Sequence, residues 1–391
     1  MGKSPRVIYL DANASTPLRA EVLEAMLPWL RDGYANPSGT HREAKRARQA
    51  IEQAREQVAA WLGAHPAEIV FTGSGTESVN TALLTLDCHA GAGHALVSAI
   101  EHSAVLRYAE ALTREVLLVP VNPGGRLELT RLEEGLAGAS MVSVMTANNE
   151  TGVIQPLREV CALAHARGVV VHSDAVQAAG KIPLDVRELG VDLLSVSAHK
   201  FHGPKGVGAL YVRSGLAFTP LLLGGGQEGG RRSGTENTAG IVGMGAAATL
   251  LLRRQQPSQT DLAQLRDAFE TKLMADLPGV TVNGDLRHRL PNTSHLSFDG
   301  CEAAGLLILL DEAGIACSAG SACMSGKQRP SHVQLAMGID ETRARSSLRF
   351  SFSTLNTMGE AFAAAVMVQR AVEKLRQVQG SGVGPVQVYC A

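Results

Sequence analysis

Seven short, almost uninterrupted apolar runs constrain this chain more than any other feature. They cover residues 68–72, 95–98, 116–119, 141–145, 169–172, 193–197 and 208–212. Runs of this kind belong to strands buried on both faces. Helical patterns lie between them. The clearest places Ala44, Ala47, Ile51, Ala54, Val58 and Trp61 three or four apart and stops at Gly63. Strand–helix alternation of this length predicts an α/β fold with a mostly parallel sheet. The character changes near residue 250. A polar break at 253–259 precedes a helix (261–276), strands (280–283, 293–298), a helix (301–313), a Gly/Ser loop (318–326), a strand (347–353) and a last helix (358–376). The expected organisation is a large domain, 16–252, with a seven-stranded sheet flanked by helices. A smaller α+β domain, 253–391, is joined by residues 1–15.

Composition excludes several classes. Of 391 residues, 45% are apolar, and 36 basic residues face 37 acidic ones. No basic block or stripe appears, so nucleic acid is not an expected partner. The longest uncharged stretches, 214–227 and 237–252, fall short of the ~20 residues a spanning helix needs. No membrane association is expected, and the N-terminus has no apolar leader, so the expected location is cytoplasmic. Six cysteines, at 88, 161, 301, 317, 323 and 390, are scattered and form no C-x-x-C pair. That is neither a disulfide scaffold nor a zinc quartet.

Five polar clusters follow the C-terminal ends of expected strands. Phe71-Thr72-Gly73-Ser74-Gly75-Thr76 turns from a strand into a helix, where backbone N–H groups bind one phosphate or simply close a tight turn. Glu101-His102 offers an imidazole to stack on a flat ring or to sit in a structural role. Asn148-Asn149-Glu150-Thr151-Gly152 reads as a ligand loop or as Asx turns. In His172-Ser173-Asp174-Ala175-Val176-Gln177, Asp174 caps a helix or pairs with a pyridinium nitrogen. Ser197-Ala198-His199-Lys200 ends a strand, in a chain with eight lysines against 28 arginines. Lys200 is a surface lysine or one that forms a Schiff base. Ligands of open α/β sheets bind beyond the carboxyl ends of the strands. A phosphate cradle, a carboxylate, a stacking imidazole and an amine, all placed there, describe a pyridoxal phosphate (PLP) site.

Two further residues stand out. Cys323 lies within the small-residue run Ser318-Ala319-Gly320-Ser321-Ala322-Cys323, which suits a nucleophile that must visit a substrate and leave with cargo. Arg349 is a lone charge in a strand, able to clamp a carboxylate with two hydrogen bonds or to lie at the surface.

The Ser-Ala-His-Lys run and the Gly-Ser-Ala-Cys loop, with Asn148–Gly152, Gly180-Lys181-Ile182-Pro183 and Arg232-Ser233-Gly234-Thr235, carry a resemblance. The chain resembles the cysteine desulfurases of the NifS/IscS type, within the fold-type I, class V aminotransferase-like PLP enzymes. The resemblance implies that Lys200 binds PLP as an imine, that Asp174 pairs with the ring nitrogen, that Gln177 meets the ring oxygen and that His102 stacks on the ring. It assigns Gly75, Thr76, Ser197 and His199 to the phosphate, and Thr235 to the phosphate of a neighbouring subunit, hence a homodimer. Asn149 lies near the ring and substrate, and Asn36 and Arg349 match the contacts to the substrate carboxylate. Cys323 matches the persulfide-bearing cysteine. Lys200, Cys323 and His102 are then catalytic, and L-cysteine is the substrate. A sulfur acceptor or iron–sulphur scaffold protein is the partner, and no metal site is implied beyond transient iron–sulphur ligation at Cys323. A selenocysteine lyase or another class V reaction is the alternative. The loop departs from the family at Cys323-Met324-Ser325-Gly326 and at Lys327-Gln328-Arg329-Pro330, where acidic Leu-Glu-Pro is common.

Overall fold

The computed structural model describes residues 7–253, 257–319 and 330–380. All seven apolar runs are strands: Ile69–Thr72, His94–Ser98, Val116–Val119, Ala139–Ser143, Val170–Asp174, Leu193–Ser197 and Gly208–Val212. They form one sheet in the order 69–72, 208–212, 193–197, 170–174, 139–143, 94–98, 116–119. Strand 208–212 runs antiparallel to both neighbours, and the other pairings are parallel. Strands 193–197 and 208–212 are buried at every position. That is why their sequences read as continuous apolar runs rather than alternating ones. Strand 170–174 extends two residues past its apolar run, so Asp174 belongs to the strand end itself.

Helices cover both faces. Arg42–Leu62 buries the stripe the spacing predicts, and Gly63 closes it with φ +68°, a left-handed conformation that favours glycine. It packs against Thr238–Arg253. A methyl group at Gly245 would come within 2.7 Å of the Ala54 Cα, so the small residues of that helix set how closely the two backbones approach. No described helix is long and apolar enough to cross a membrane.

The C-terminal elements build a second apolar cluster. A three-stranded antiparallel sheet, in the order Ser347–Ser351, Thr293–Phe298, Val280–Val282, packs with Pro257–Asp276, Ala303–Glu312 and Met358–Gly380. Phe269, Phe298, Phe350 and Phe352 interlock at its centre. The N-terminal strand Ile8–Tyr9 pairs with Ile315–Ala316 and so joins this cluster before the chain enters the large sheet. Two short helices, His332–Ala336 and Glu341–Arg345, have too few residues to show a period in the sequence.

A buried ion pair fixes one end of the large sheet. Arg55 holds Glu228 through two bonds of 2.7 Å, and Glu228 also accepts the Phe71 N–H at 2.9 Å. Removing one partner of such a pair leaves a buried charge uncompensated. Glu228→Gln leaves the buried Arg55 with only the exposed Glu52, at 3.1 Å, and is therefore expected to destabilise the protein by about 3 kcal/mol in urea denaturation. Replacing both residues by methionine should cost less, because the one carboxylate that then loses its partner, Glu52, is exposed to water.

Candidate active site

The carboxyl ends of the parallel strands open onto one cavity of about 420 Å³. Ser74 ends the turn after strand 69–72 and caps helix Gly75–His89 by accepting the Glu77 N–H at 3.1 Å. The Gly75 and Thr76 N–H groups open that helix and have no intrahelical acceptor. A Cβ on Gly75 would meet Val176 Cγ2 at 2.8 Å and Ser197 Cβ at 3.2 Å. Only glycine lets this helix end lie so near the end of strand 193–197.

Lys200 ends a single helical turn, Ala198–Lys200, that continues strand 193–197. Its Nζ donates to the carbonyls of Asn13 (2.6 Å) and Ala14 (2.9 Å). Burial, with the Arg349 charge, lowers its pKa to about 8, while Asp174 and Asp11 act against the shift. Only the neutral amine attacks a carbonyl. Capture of PLP by the apoprotein is therefore expected to quicken as pH rises through about 8 and then level off. An ordinary lysine would still be accelerating at pH 10. Stopped-flow absorbance at a series of pH values checks this.

Asp174 is buried, and its Oδ1 accepts the Val176 N–H at 2.9 Å. Burial raises its pKa, and His102 and Lys200 lower it. It makes no salt bridge among the described residues. His102 precedes helix Ser103–Ala109 and accepts the Ala104 N–H at Nδ1. Its pKa is lowered by desolvation, so the ring is neutral near pH 7. Burial and three lysines push His199 down to about 4.

Asn149 lines the same cavity, and its carbonyl accepts Arg349 Nη1 at 2.9 Å. Arg349 Nη2 reaches Asp11 at 2.7 Å. The neighbouring Asn148 makes the expected Asx turn, taking the N–H groups of Glu150 and Thr151.

Nine of the site residues read from the sequence thus line one cavity: Gly75, Thr76, His102, Asn149, Asp174, Gln177, Ser197, His199 and Lys200. Arg349 sits behind Asn149. Thr235 is not in that cavity. It lines an adjoining one with Arg232 and Glu236, and Gly206 borders both. Asn36 is exposed, outside the cavity lining, with its Oδ1 accepting the Ser38 N–H. Cys323 lies outside the described residues. No group of three or more described His, Cys, Asp or Glu side chains is placed to hold a metal. Sequence reasoning missed Ser15, Lys205 and Gly206 in the lining, and Asn13 and Lys181 just behind it. Lys181 stands in the Gly180-Lys181-Ile182-Pro183 run, but nothing in its spacing, or in that of Asn13, distinguishes a buried polar hub from a turn.

Residues 8–361 match the aminotransferase class-V family, and the chain belongs to that family. Within it the likeness is to the cysteine desulfurases. A cysteine desulfurase of Trichormus azollae is 45% identical over 375 residues, covering 95% of this chain and 94% of the relative. Among solved structures, a NifS-like protein superposes with a TM-score of 0.88 at 37% identity, over 94% of this chain and all of that one. SspA in complex with cysteine superposes with a TM-score of 0.79 at 36% identity, over 89% of this chain and 99% of that one.

Proposed function

We propose that this chain is a PLP-dependent cysteine desulfurase that converts L-cysteine to L-alanine and carries the sulfur away as a persulfide on Cys323. The observation that carries the reading is Lys200, a half-buried amine of lowered pKa, in one cavity with the buried Asp174 carboxylate, which makes no salt bridge among the described residues. The donor set suits the cofactor. Free N–H groups at Gly75 and Thr76, with the Ser197 hydroxyl, match a phosphate. Asp174 matches a protonated ring nitrogen, and the neutral His102 imidazole matches the flat face of the ring.

PLP, when bound, supplies an electron sink for charge developing at the substrate Cα. Asp174 holds a proton at the ring nitrogen. The neutral Lys200 amine takes the Cα proton. His102 moves a proton at the substrate sulfur. Arg349, steadied by Asp11, and Asn149 orient the substrate carboxylate. The Cys323 thiolate forms an S–S bond as the substrate C–S bond breaks, the electron pair passes to Cβ, which is protonated, and Lys200 returns a proton to Cα to complete L-alanine. Thr235, outside its own chain's cavity, completes the phosphate site of a second copy, making a homodimer with shared sites. The persulfide passes to an acceptor or iron–sulphur scaffold protein in the cytoplasm.

The test is product analysis of the PLP-loaded protein with L-cysteine and a dithiol. Equal amounts of alanine and sulfide are expected. Pyruvate in place of alanine would make it a β-lyase, and no turnover with L-cysteine would overturn the assignment.

A further inference from the structure

We propose that Lys181 is a positioning residue for the cofactor: its amine, held between Asn13 and Gln177, turns the Gln177 amide so that its N–H group faces the cavity. This rests on the PLP reading of the site. Lys181 is 5% exposed and makes no salt bridge among the described residues. Its Nζ instead donates to Gln177 Oε1 at 2.6 Å and to Asn13 Oδ1 at 2.8 Å. A lysine is almost never fully buried unless paired, so a buried lysine amine held only by two amide oxygens calls for a reason.

The geometry supplies one. Gln177 Nε2 donates one hydrogen to the Asn13 carbonyl at 2.9 Å, which leaves its second N–H for the cavity that Gln177 lines. A flipped amide would set its NH2 against the Lys181 amine and its oxygen against the Asn13 oxygen. Both neighbours therefore choose the same orientation. Protonated or neutral, an amine has the two hydrogens these bonds need, so the device works in either state.

Asn13 is locked in the same way. Its Oδ1 also accepts from Asn292 Nδ2 at 3.1 Å, and its Nδ2 donates to Thr293 Oγ1 at 3.0 Å. Its main-chain oxygen receives both Gln177 and Lys200. Asn13 thus keeps its place through Asn292 and Thr293, and the effect of Lys181 on the cavity passes through Gln177. Burial and the Lys200 charge lower the Lys181 pKa well below the usual lysine value.

A double-mutant cycle tests this with wild type, Gln177→Leu, Lys181→Met and the double variant. Each apoprotein is titrated with PLP, and the pH midpoint of the visible band is read for each loaded protein. A donor to the ring oxygen favours its deprotonated form, so losing it raises that midpoint. Lys181→Met is expected to weaken PLP binding about tenfold, equivalent to ~1.4 kcal/mol, and to raise the midpoint. In the Gln177→Leu background it should change neither quantity further. Equal losses in both backgrounds, or no loss in the wild-type background, overturn the positioning role. If Lys181→Met does not fold, Lys181→Gln is run through the same cycle with the same criterion. A wild-type protein that takes up PLP while the cycle is additive sinks the Lys181 inference alone. One that takes up no PLP sinks the site reading with it.

Discussion

Lys200→Ala is expected to abolish turnover of L-cysteine, a fall of about 10⁴-fold or more, while the protein stays folded. Two roles are lost at once: the group that anchors the cofactor and the base that takes the Cα proton, the latter alone contributing about 10²–10⁴-fold. Borohydride treatment should fix no cofactor to the variant, whereas it should fix one per chain to the wild type. Folding should survive, because the Nζ only serves the carbonyls of Asn13 and Ala14, and Asn13 keeps its bond from Gln177. Lys200→Arg separates charge from chemistry. Arginine keeps a cation near Asp174 but does not deprotonate in proteins, so it should be as inactive as alanine. Substantial turnover in either variant would move the base and anchor to another residue, and Lys181 would be the first to examine.

How much of this was legible beforehand depended on the kind of force involved. The strands were legible because burial on both faces leaves an apolar run, and 193–197 and 208–212 coincide with their runs. Asp174, His102 and Lys200 were legible because a parallel sheet places its strand ends together, whatever lies between them in the sequence. The reversed direction of strand 208–212 was not, since an apolar run has no polarity. Nor were Asn13 and Lys181. They lie 168 residues apart and meet through a hydrogen bond of 2.8 Å, which leaves no periodicity to read. Asn36 shows the opposite case. The resemblance set it at the substrate carboxylate, and within one chain it is exposed and outside the cavity, whereas Thr235 was assigned to a neighbouring subunit's phosphate and lines the adjoining cavity.

Cys323→Ala is the other large effect: the variant should bind PLP with an unchanged visible spectrum and lose sulfide and alanine production by about 10³-fold or more. Substrate sulfur has no acceptor once the thiolate is gone, so the C–S bond loses the partner that lets it break. The chain on either side is anchored beside the cavity. Ser318 exchanges backbone hydrogen bonds with Arg349, and His332 meets the Glu101 carbonyl at 3.0 Å. From Ser318 to Cys323 is five residues, a reach of up to about 17 Å. Cys317 is the natural control. Burial, with the Asp11 charge, pushes its pKa up to about 12, so at neutral pH it is a thiol and a poor nucleophile. Cys317→Ala should therefore keep most of the activity. The same burial effect takes Cys161 to about 12. If Cys323→Ala still released alanine from cysteine at the wild-type rate, the sulfur would be leaving by another route. If Cys317→Ala lost activity instead, the nucleophile would be Cys317.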